Sequence, residues 1–267
     1  MRMLLRAIAL VALLAVSPAV AQQRSDPDFV PRIEAPRHDA GAGPVVAIDA
    51  AHANFHTMRG RFAPFADLLA ADGYRVRANG APFSAETLAG LDVLVISNAL
   101  HPSNRGNWRL PTPSAFTGDE IASVRTWVEK GGRLLLIADH MPFPGAAADM
   151  ASAFGFGFMN GFAINMDDAE TRFVFRPGEG LSPVPGEDGE DGEAVGQVVT
   201  FTGQAFSIPD DAASLLTLEG PYALLLPREA WKFDAETPLE VANGLSQGAI
   251  RDVGAGRVAV FGEAAAF

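Results

Sequence analysis

The 267-residue chain contains no cysteine. That excludes disulfides, a thiol nucleophile, a thiolate metal site and a lipid-modified N-terminal cysteine. Positive charge is scarce: 20 Lys and Arg stand against 32 Asp and Glu, a formal net charge of −12. So acidic a surface repels nucleic acid and anionic lipid at long range, and neither is expected as a partner. After the N-terminus no apolar run approaches the roughly 20 residues that span a bilayer, so no membrane span is expected in the mature chain. No internal repeat and no H-E-x-x-H zinc signature is present. Histidine is rare, with five in the chain, so where it falls is informative.

The N-terminus is the most explicit segment. Arg2 and Arg6 precede an apolar run from Ala7 to Val16, then Ala19-Val20-Ala21. A charged start, about ten apolar residues and an A-x-A triplet define a cleavable secretory signal. Residues 1–21 are therefore expected to be removed and the mature protein to be periplasmic or secreted. With disulfides excluded, an exported domain must be held by its core, and the 48% apolar content is sufficient for one.

Residues 22–43 are polar and Pro-containing and read as a flexible lead-in. Order then begins abruptly. Val45 to Ile48, Val93 to Ile96 and Leu134 to Ile137 are short, wholly apolar runs, as expected of strands buried on both faces. Tyr74 to Ala78 reads as another strand. Helical spacing appears over Phe62, Phe65, Leu68 and Leu69, over Ser84 to Ala89, and from about Gly145 to Phe154. Thr117 and Glu120 form a capping box ahead of Ile121, Val124, Trp127 and Val128. Alternation of this kind predicts a parallel sheet covered by helices on both faces. The second half differs: Val195 to Thr202, Tyr222 to Leu226, Gly248 to Val253 and Arg257 to Phe261 read as strands, the last two joined by a turn at Gly254-Ala255-Gly256. An acidic Gly/Pro-rich loop runs from Glu179 to Glu193. The chain ends directly after a strand where a closing helix is expected, so truncation at the C-terminus is anticipated.

Ligands of open parallel sheets bind beyond the carboxyl ends of the strands, where loops and helix N-termini converge. Those ends carry Asp49, His52, Asn54 and His56; Asn98 and His101; Asp139 and His140; and Glu263. Four of the five histidines lie there. Carboxylate and imidazole groups in one crevice suit acid–base chemistry. Without sulfur they also suit a divalent metal such as zinc. Asp49, His52, His140 and Glu263 are the candidate catalytic residues. Asn54, Asn98, Gln204 and Gln247 are candidates for orienting substrate. Asp49, His52, His56, Asp139 and His140 are the candidate metal set.

Other patterns carry less. Gly244-Leu-Ser246-Gln-Gly248 matches the nucleophile-elbow spacing, but a strand rather than a helix follows it and no histidine lies downstream. Gly155-Phe-Gly157-Phe-Met-Asn-Gly161 is one residue too long for a dinucleotide loop and follows a helix. Glu187 to Glu193 lacks the ligand spacing of an EF-hand loop. Trp108 sits in a Pro-rich loop, a position from which an indole can stack on a sugar ring.

Ile48-Asp49-x-x-His52-x-Asn54-Phe55-His56 and Gly60-Arg61-Phe62-x-Pro64-Phe65, followed by Leu135-Leu136-Ile137-Ala138-Asp139-His140-x-Pro142-Phe143 and Gly256-Arg257-Val258-Ala259-Val260-Phe261-Gly262-Glu263, resemble an uncharacterised bacterial domain family over residues 44–267. That family is similar to class I glutamine amidotransferase-like domains, which share a flavodoxin-like sheet, and related domains occur in gliding-motility transporter accessory proteins. The resemblance implies the fold and carries over no catalytic role, since the amidotransferase nucleophile is a cysteine. The expectation is a three-layer α/β sandwich, mostly parallel and flavodoxin-like, with an antiparallel extension. Its expected function is hydrolysis, metal-assisted or not, of a small or carbohydrate-like substrate. The alternative is a non-catalytic module that binds a glycan or peptide, or an envelope protein partner.

Overall fold

The computed structural model describes residues 25–167, 172–185 and 195–267. The expected leader over 1–21 and the acidic stretch Glu187 to Glu193 lie outside them. Five strands form the central parallel sheet: β1 (Val45–Asp49), β2 (Arg75–Asn79), β3 (Val93–Ser97), β4 (Arg133–Ile137) and, far downstream, β15 (Gly256–Phe261). Their order across the sheet is β2-β1-β3-β4-β15, the flavodoxin-like arrangement. The apolar runs are buried because both sheet faces are covered. Helices α2 (Ala85–Leu88), α3 (Gly118–Glu129) and α4 (Phe143–Ala153) bury Leu88, Val124, Val128 and Met150 with Leu94, Ile96, Leu134 and Leu136. Helix α1 (Ala63–Ala71) lies on the other face, where Phe62 and Ala66 pack with Val46, Ile48, Val95 and Ile137. The expected three-layer fold is what forms.

Local signals explain the helix starts. The Thr117 hydroxyl accepts from the Glu120 amide, and Glu120 closes the box on the Thr117 amide. In α1 and α4, Pro64 and Pro144 occupy the first turn, where a missing N–H is harmless. The lead-in is less free than its composition suggests. The Arg37 amide donates to the Asp72 side chain and the His38 amide to its carbonyl, and the His38 ring packs edge-on to Tyr74.

The second half builds the extension. Strands β5 (Gly157–Phe158), β6 (Phe162–Asn165), β7 (Phe173–Pro177), β8 (Gly180–Leu181), β9 (Val198–Thr200) and β10 (Phe206–Ser207) are short. They are followed by β11 (Ala213–Thr217), β12 (Tyr222–Leu225), β13 (Leu239–Val241) and β14 (Ser246–Val253). Strand β14 pairs antiparallel with β15 through the turn at Gly254, and β11, β8, β7 and β9 continue the sheet. A separate three-stranded sheet, β13-β12-β6, stands beside it. Two features matter for the site. The loop 201–204 lies against the end of β15, where a Cβ on Gly203 (φ +41°) would meet the Gly262 carbonyl at 2.3 Å. The small sheet also delivers Phe162 and the loop holding Trp231 to the C-terminal ends of the parallel strands. Among the described residues no helix is long and apolar enough to cross a membrane.

Candidate functional site

Parallel register brings Asp49, Ser97-Asn98, Asp139 and Glu263 to one edge of the sheet. Strand β3 separates β1 from β4, so Asp49 and Asp139 stand two strand spacings, ~10 Å, apart. The edge accordingly holds two clusters rather than one.

The first is closed. His52 Nδ1 contacts Asp49 Oδ2 at 2.8 Å and its Nε2 contacts Glu120 Oε1 at 2.8 Å. Phe83 and Phe116 flank the ring. Burial opposes the charged imidazole, but the hydrogen bonds and charges of Asp49 and Glu120 outweigh it and raise the His52 pKa. Glu120 is also desolvated. Bonds from the Thr117 amide, His52, the Thr117 hydroxyl and the Phe83 amide nevertheless bring it down to about 2. Asp49 is fully buried, and its second oxygen accepts from the Ala51 amide and the Asn79 side chain. Both imidazole nitrogens are therefore engaged by carboxylates. His52 and Asp49 were expected to act on substrate; instead they tie the β1 loop to the start of α3.

The second cluster is built differently. Asp139 and Glu263 follow the ends of adjacent, directly paired strands β4 and β15, which sets their carboxyls side by side, and each acts on the titration of the other. Burial, above all, raises both: Glu263 to about 8, with the Asp139 charge adding to it, and Asp139 to about 6. Like charges in contact cannot both ionise cheaply, so the pair titrates as a unit and holds one proton near neutral pH. Backbone amides support it: Ala264 and Ala265 donate to Glu263 Oε1, Phe201 to Oε2, and His140 to Asp139 Oδ1.

His140 is adjacent. Its Nδ1 donates to the Met141 carbonyl at 2.7 Å, leaving Nε2 as an acceptor. Burial pushes its pKa down to about 4, so the ring is neutral at pH 7. Phe162 stacks on it at 4.6 Å and Trp231 meets it edge-on at 4.7 Å, with Phe143 and Trp108 beyond. The two indoles are only half buried. Trp231 is held at φ +65°, an uncommon conformation for a large residue that marks a constrained loop. His56 stacks on Phe62 at 4.7 Å, and its Nδ1 bonds the Ser97 hydroxyl. Burial, then the charges of Arg61 and His140, lower its pKa to about 3.

Of the residues expected to orient substrate, three serve the backbone. Asn54 accepts from the His52 amide and donates to the Ser97 carbonyl. Gln204 links the Met159 amide to the Ala138 carbonyl. Gln247 accepts from the Thr200 hydroxyl and donates to the Thr202 carbonyl. Both glutamines are fully buried struts that pin loop 201–204, and with it the Phe201 amide, onto Glu263. Asn98 differs: its Oδ1 accepts from the Asp139 amide, but its Nδ2 is buried without a partner. The candidate metal set of Asp49, His52, His56, Asp139 and His140 is divided between the two clusters. Among the described residues, no three His, Asp or Glu side chains are arranged to hold a metal ion. Ser246 begins β14, and its hydroxyl donates to Ser214, as expected of a non-catalytic serine.

The sequence pattern did not anticipate Glu120 as the partner of His52, Trp231 as part of the wall, or Asp139 as the partner of Glu263. The capping box gave Glu120 a sufficient local role. Trp231 arrives from a loop with no periodic pattern. The carboxyl pair was the most accessible of the three, since both residues follow apolar strand runs directly.

No family model matches the chain, and no curated protein matches it in sequence. Among solved structures, the mmIFT52 N-terminal domain superposes with a TM-score of 0.59 at 13% identity, over 84% of this chain and 87% of that one. A cytoplasmic protein of Salmonella typhimurium LT2 gives 0.49 at 13% identity, over 82% and 87%. A ThuA-like protein of Bacteroides uniformis gives 0.42 at 13% identity, over 88% and 84%. At such identities the likeness concerns the fold alone.

Proposed function

We propose that this domain is a hydrolase of a small carbohydrate-like substrate, with Asp139 and Glu263 as a shared-proton acid–base couple. The observation that carries the reading is that two neighbouring parallel strands deliver two carboxyls side by side to a nearly sealed site. In the singly protonated state one half is a base and the other an acid, as two carboxyls in contact require. The ionised half takes a proton from water while the water oxygen bonds to the substrate carbon. The other half gives its proton to the leaving oxygen as the bond to that carbon breaks. One proton enters the pair and one leaves, so the couple is reset. Neutral His140 accepts a hydrogen bond from the other O–H of the water at Nε2 and so orients the attack. The half-exposed indoles of Trp108 and Trp231 supply flat apolar surface for a sugar ring. Export expected from residues 1–21 would put this activity outside the cytoplasm, and the partly exposed indoles of Trp108 and Trp231 are the natural meeting point with a glycan.

The test is turnover of a 4-nitrophenyl substrate panel against pH. A bell-shaped profile with limbs near 6 and 8 is expected, because only the singly protonated couple works. Turnover that is flat across this range, or equal in Asp139→Asn, overturns the reading. A binding-only role is favoured by the three amides that grip Glu263. It predicts ligand-induced Trp fluorescence change with no turnover in the wild type.

A further inference from the structure

Among the described residues, four buried side-chain atoms have no hydrogen-bond partner, and two of them, His56 Nε2 and Asn98 Nδ2, lie at this edge. Their setting identifies both as donors. The Ser97 hydroxyl is fully buried, and its contact with His56 Nδ1 is the hydrogen bond it makes. If Nδ1 carried the proton, the hydroxyl hydrogen would be left without an acceptor. The satisfied arrangement has Ser97 donating to Nδ1, which puts the imidazole hydrogen on Nε2. Asn98 is assigned by the same logic: its Oδ1 accepts from the Asp139 amide, so the free end is the NH2 group.

The two donors are held to a common frame. The Phe55 amide donates to the Asn98 carbonyl, and the His56 ring bonds Ser97, so residues 55–56 are clasped to residues 97–98 by backbone and side chain together. Asn98 adopts φ +46°, a left-handed conformation that Asn tolerates better than most residues and that turns its side chain toward Asp139. Buried donors without acceptors are costly, which makes them a place where an arriving oxygen is strongly favoured.

From this juxtaposition we infer that His56 Nε2 and Asn98 Nδ2 form a two-donor subsite for a carbonyl oxygen, and that the substrate is an acyl ester of a carbohydrate-like alcohol. The inference rests on the hydrolase reading above and narrows it. Two orphan donors beside an acid–base couple suit an oxygen that gains negative charge as water adds to a carbonyl carbon. The carboxyl spacing points the same way. Glycoside cleavage uses carboxyls ~5 Å or more apart, on either side of the bond, whereas Asp139 and Glu263 stand side by side at the ends of adjacent paired strands. In the proposed step, the water oxygen bonds to the acyl carbon and its proton passes to the ionised carboxyl. The carbonyl electron pair moves onto the oxygen held by Asn98 and His56. Collapse then expels the alcohol oxygen, which takes the proton of the other carboxyl. Both donors are buried, and the ring packed against His56 is that of Phe55, half exposed beneath the Arg61 guanidinium at 3.8 Å.

An acetylated 4-nitrophenyl glucoside distinguishes the bonds, since acetate release reports the ester and nitrophenol the glycoside. Wild type is expected to release acetate. Asn98→Asp, which keeps the acceptor for the Asp139 amide and removes the donor, should lower kcat on the order of 10²–10³-fold with KM little changed. His56→Phe, which keeps the stack on Phe62, should do the same, and His56→Gln should recover part of the rate. Nitrophenol release in place of acetate, or acetate release within twofold of wild type in Asn98→Asp and His56→Phe, overturns the inference. A readout independent of turnover is the ring N–H resonance of His56 in a 15N-histidine spectrum. Acetamide, a neutral carbonyl, should shift it in wild type and not in Asn98→Asp, and no shift in wild type overturns the donor pair. Acetamide binding without hydrolysis of either bond would instead sink the hydrolase reading and leave the subsite standing.

Discussion

The Asp49–His52–Glu120 cluster and the Asp139–Glu263 pair stand on the same sheet edge, yet buried charge is handled in opposite ways. In the first, every strong donor and acceptor of His52 is matched by an opposite charge. In the second, two carboxyls face each other, the adjacent imidazole is neutral, and two nearby donors have no acceptor. A matched cluster resists change in protonation; an unmatched one is held ready for it. Perturbed carboxyls gather at working sites for that reason, although structural networks also perturb pKa values. The same three residue types, Asp, Glu and His, thus give a clamp at one end of the edge and the proposed acid–base couple at the other.

The largest expected effect comes from opening the clamp. His52→Ala leaves Asp49 and Glu120 buried and facing each other without their shared cation. Breaking a buried pair in this way costs ~3–5 kcal/mol, so urea unfolding should show a loss of that order. Turnover per folded molecule should be nearly unchanged. If His52→Ala is as stable as wild type, the clamp is not what holds the β1 loop to α3.

The complementary change is Asp139→Asn. The new amide can still accept from the His140 amide and can donate permanently to Glu263, so stability at pH 7 should stay within about 1 kcal/mol of wild type. The acid–base couple is destroyed, and turnover should fall on the order of 10²–10⁴-fold. A loss of stability without a loss of turnover would exchange the roles assigned to the two clusters.

A smaller effect separates them by pH. Glu263 and Asp139 have raised pKa values in the fold, so the native state binds more protons than the unfolded chain. Their contribution is complete below the ordinary carboxyl range and is lost as pH rises through about 6 and then about 8. His52, also raised, loses its contribution as pH rises through its folded value. His56 and His140 are lowered, and act in the other direction only below about pH 6.5. Between pH 6.5 and 8.5 the wild type should therefore become less stable, and Asp139→Asn should show a shallower decline. Equal slopes in thermal unfolding would mean that the carboxyl pair does not share a proton.

The comparison also shows what a one-dimensional pattern can reveal. The parallel strands were legible because burial on both faces leaves only apolar residues in Val45 to Ile48, Val93 to Ile96 and Leu134 to Ile137. Their ends pointed to the right edge for the same reason, since the first polar residue after each run must lie at the rim. Which rim residues meet was not legible. His52 is paired by Glu120, sixty-eight positions away, and capping alone accounted for that glutamate. Gln204 and Gln247 look like binding residues in isolation, but a loop packed against a strand end needs buried side chains to satisfy its amides and carbonyls. The antiparallel extension was only partly visible, because strands of two to five residues are too short to show a period.

The smallest effect tests whether the aromatic wall belongs to the reactive cluster or merely insulates it. Trp231 touches His140 and Phe162 and keeps part of its indole exposed. Trp231→Ala removes stacking surface worth about 0.5–1.5 kcal/mol, so KM should rise roughly two- to twelvefold. If the indole binds the ground state and the transition state alike, kcat should hold. An insulating ring behaves otherwise: its removal admits water to His140 and the carboxyl pair, relieves the desolvation that raises both acids, and moves the alkaline limb of the pH profile downward. A rise in KM with fixed limbs therefore assigns Trp231 to substrate. Shifted limbs with an unchanged KM assign it to the electrostatics of the couple, and the sugar-stacking role then passes to Trp108 alone.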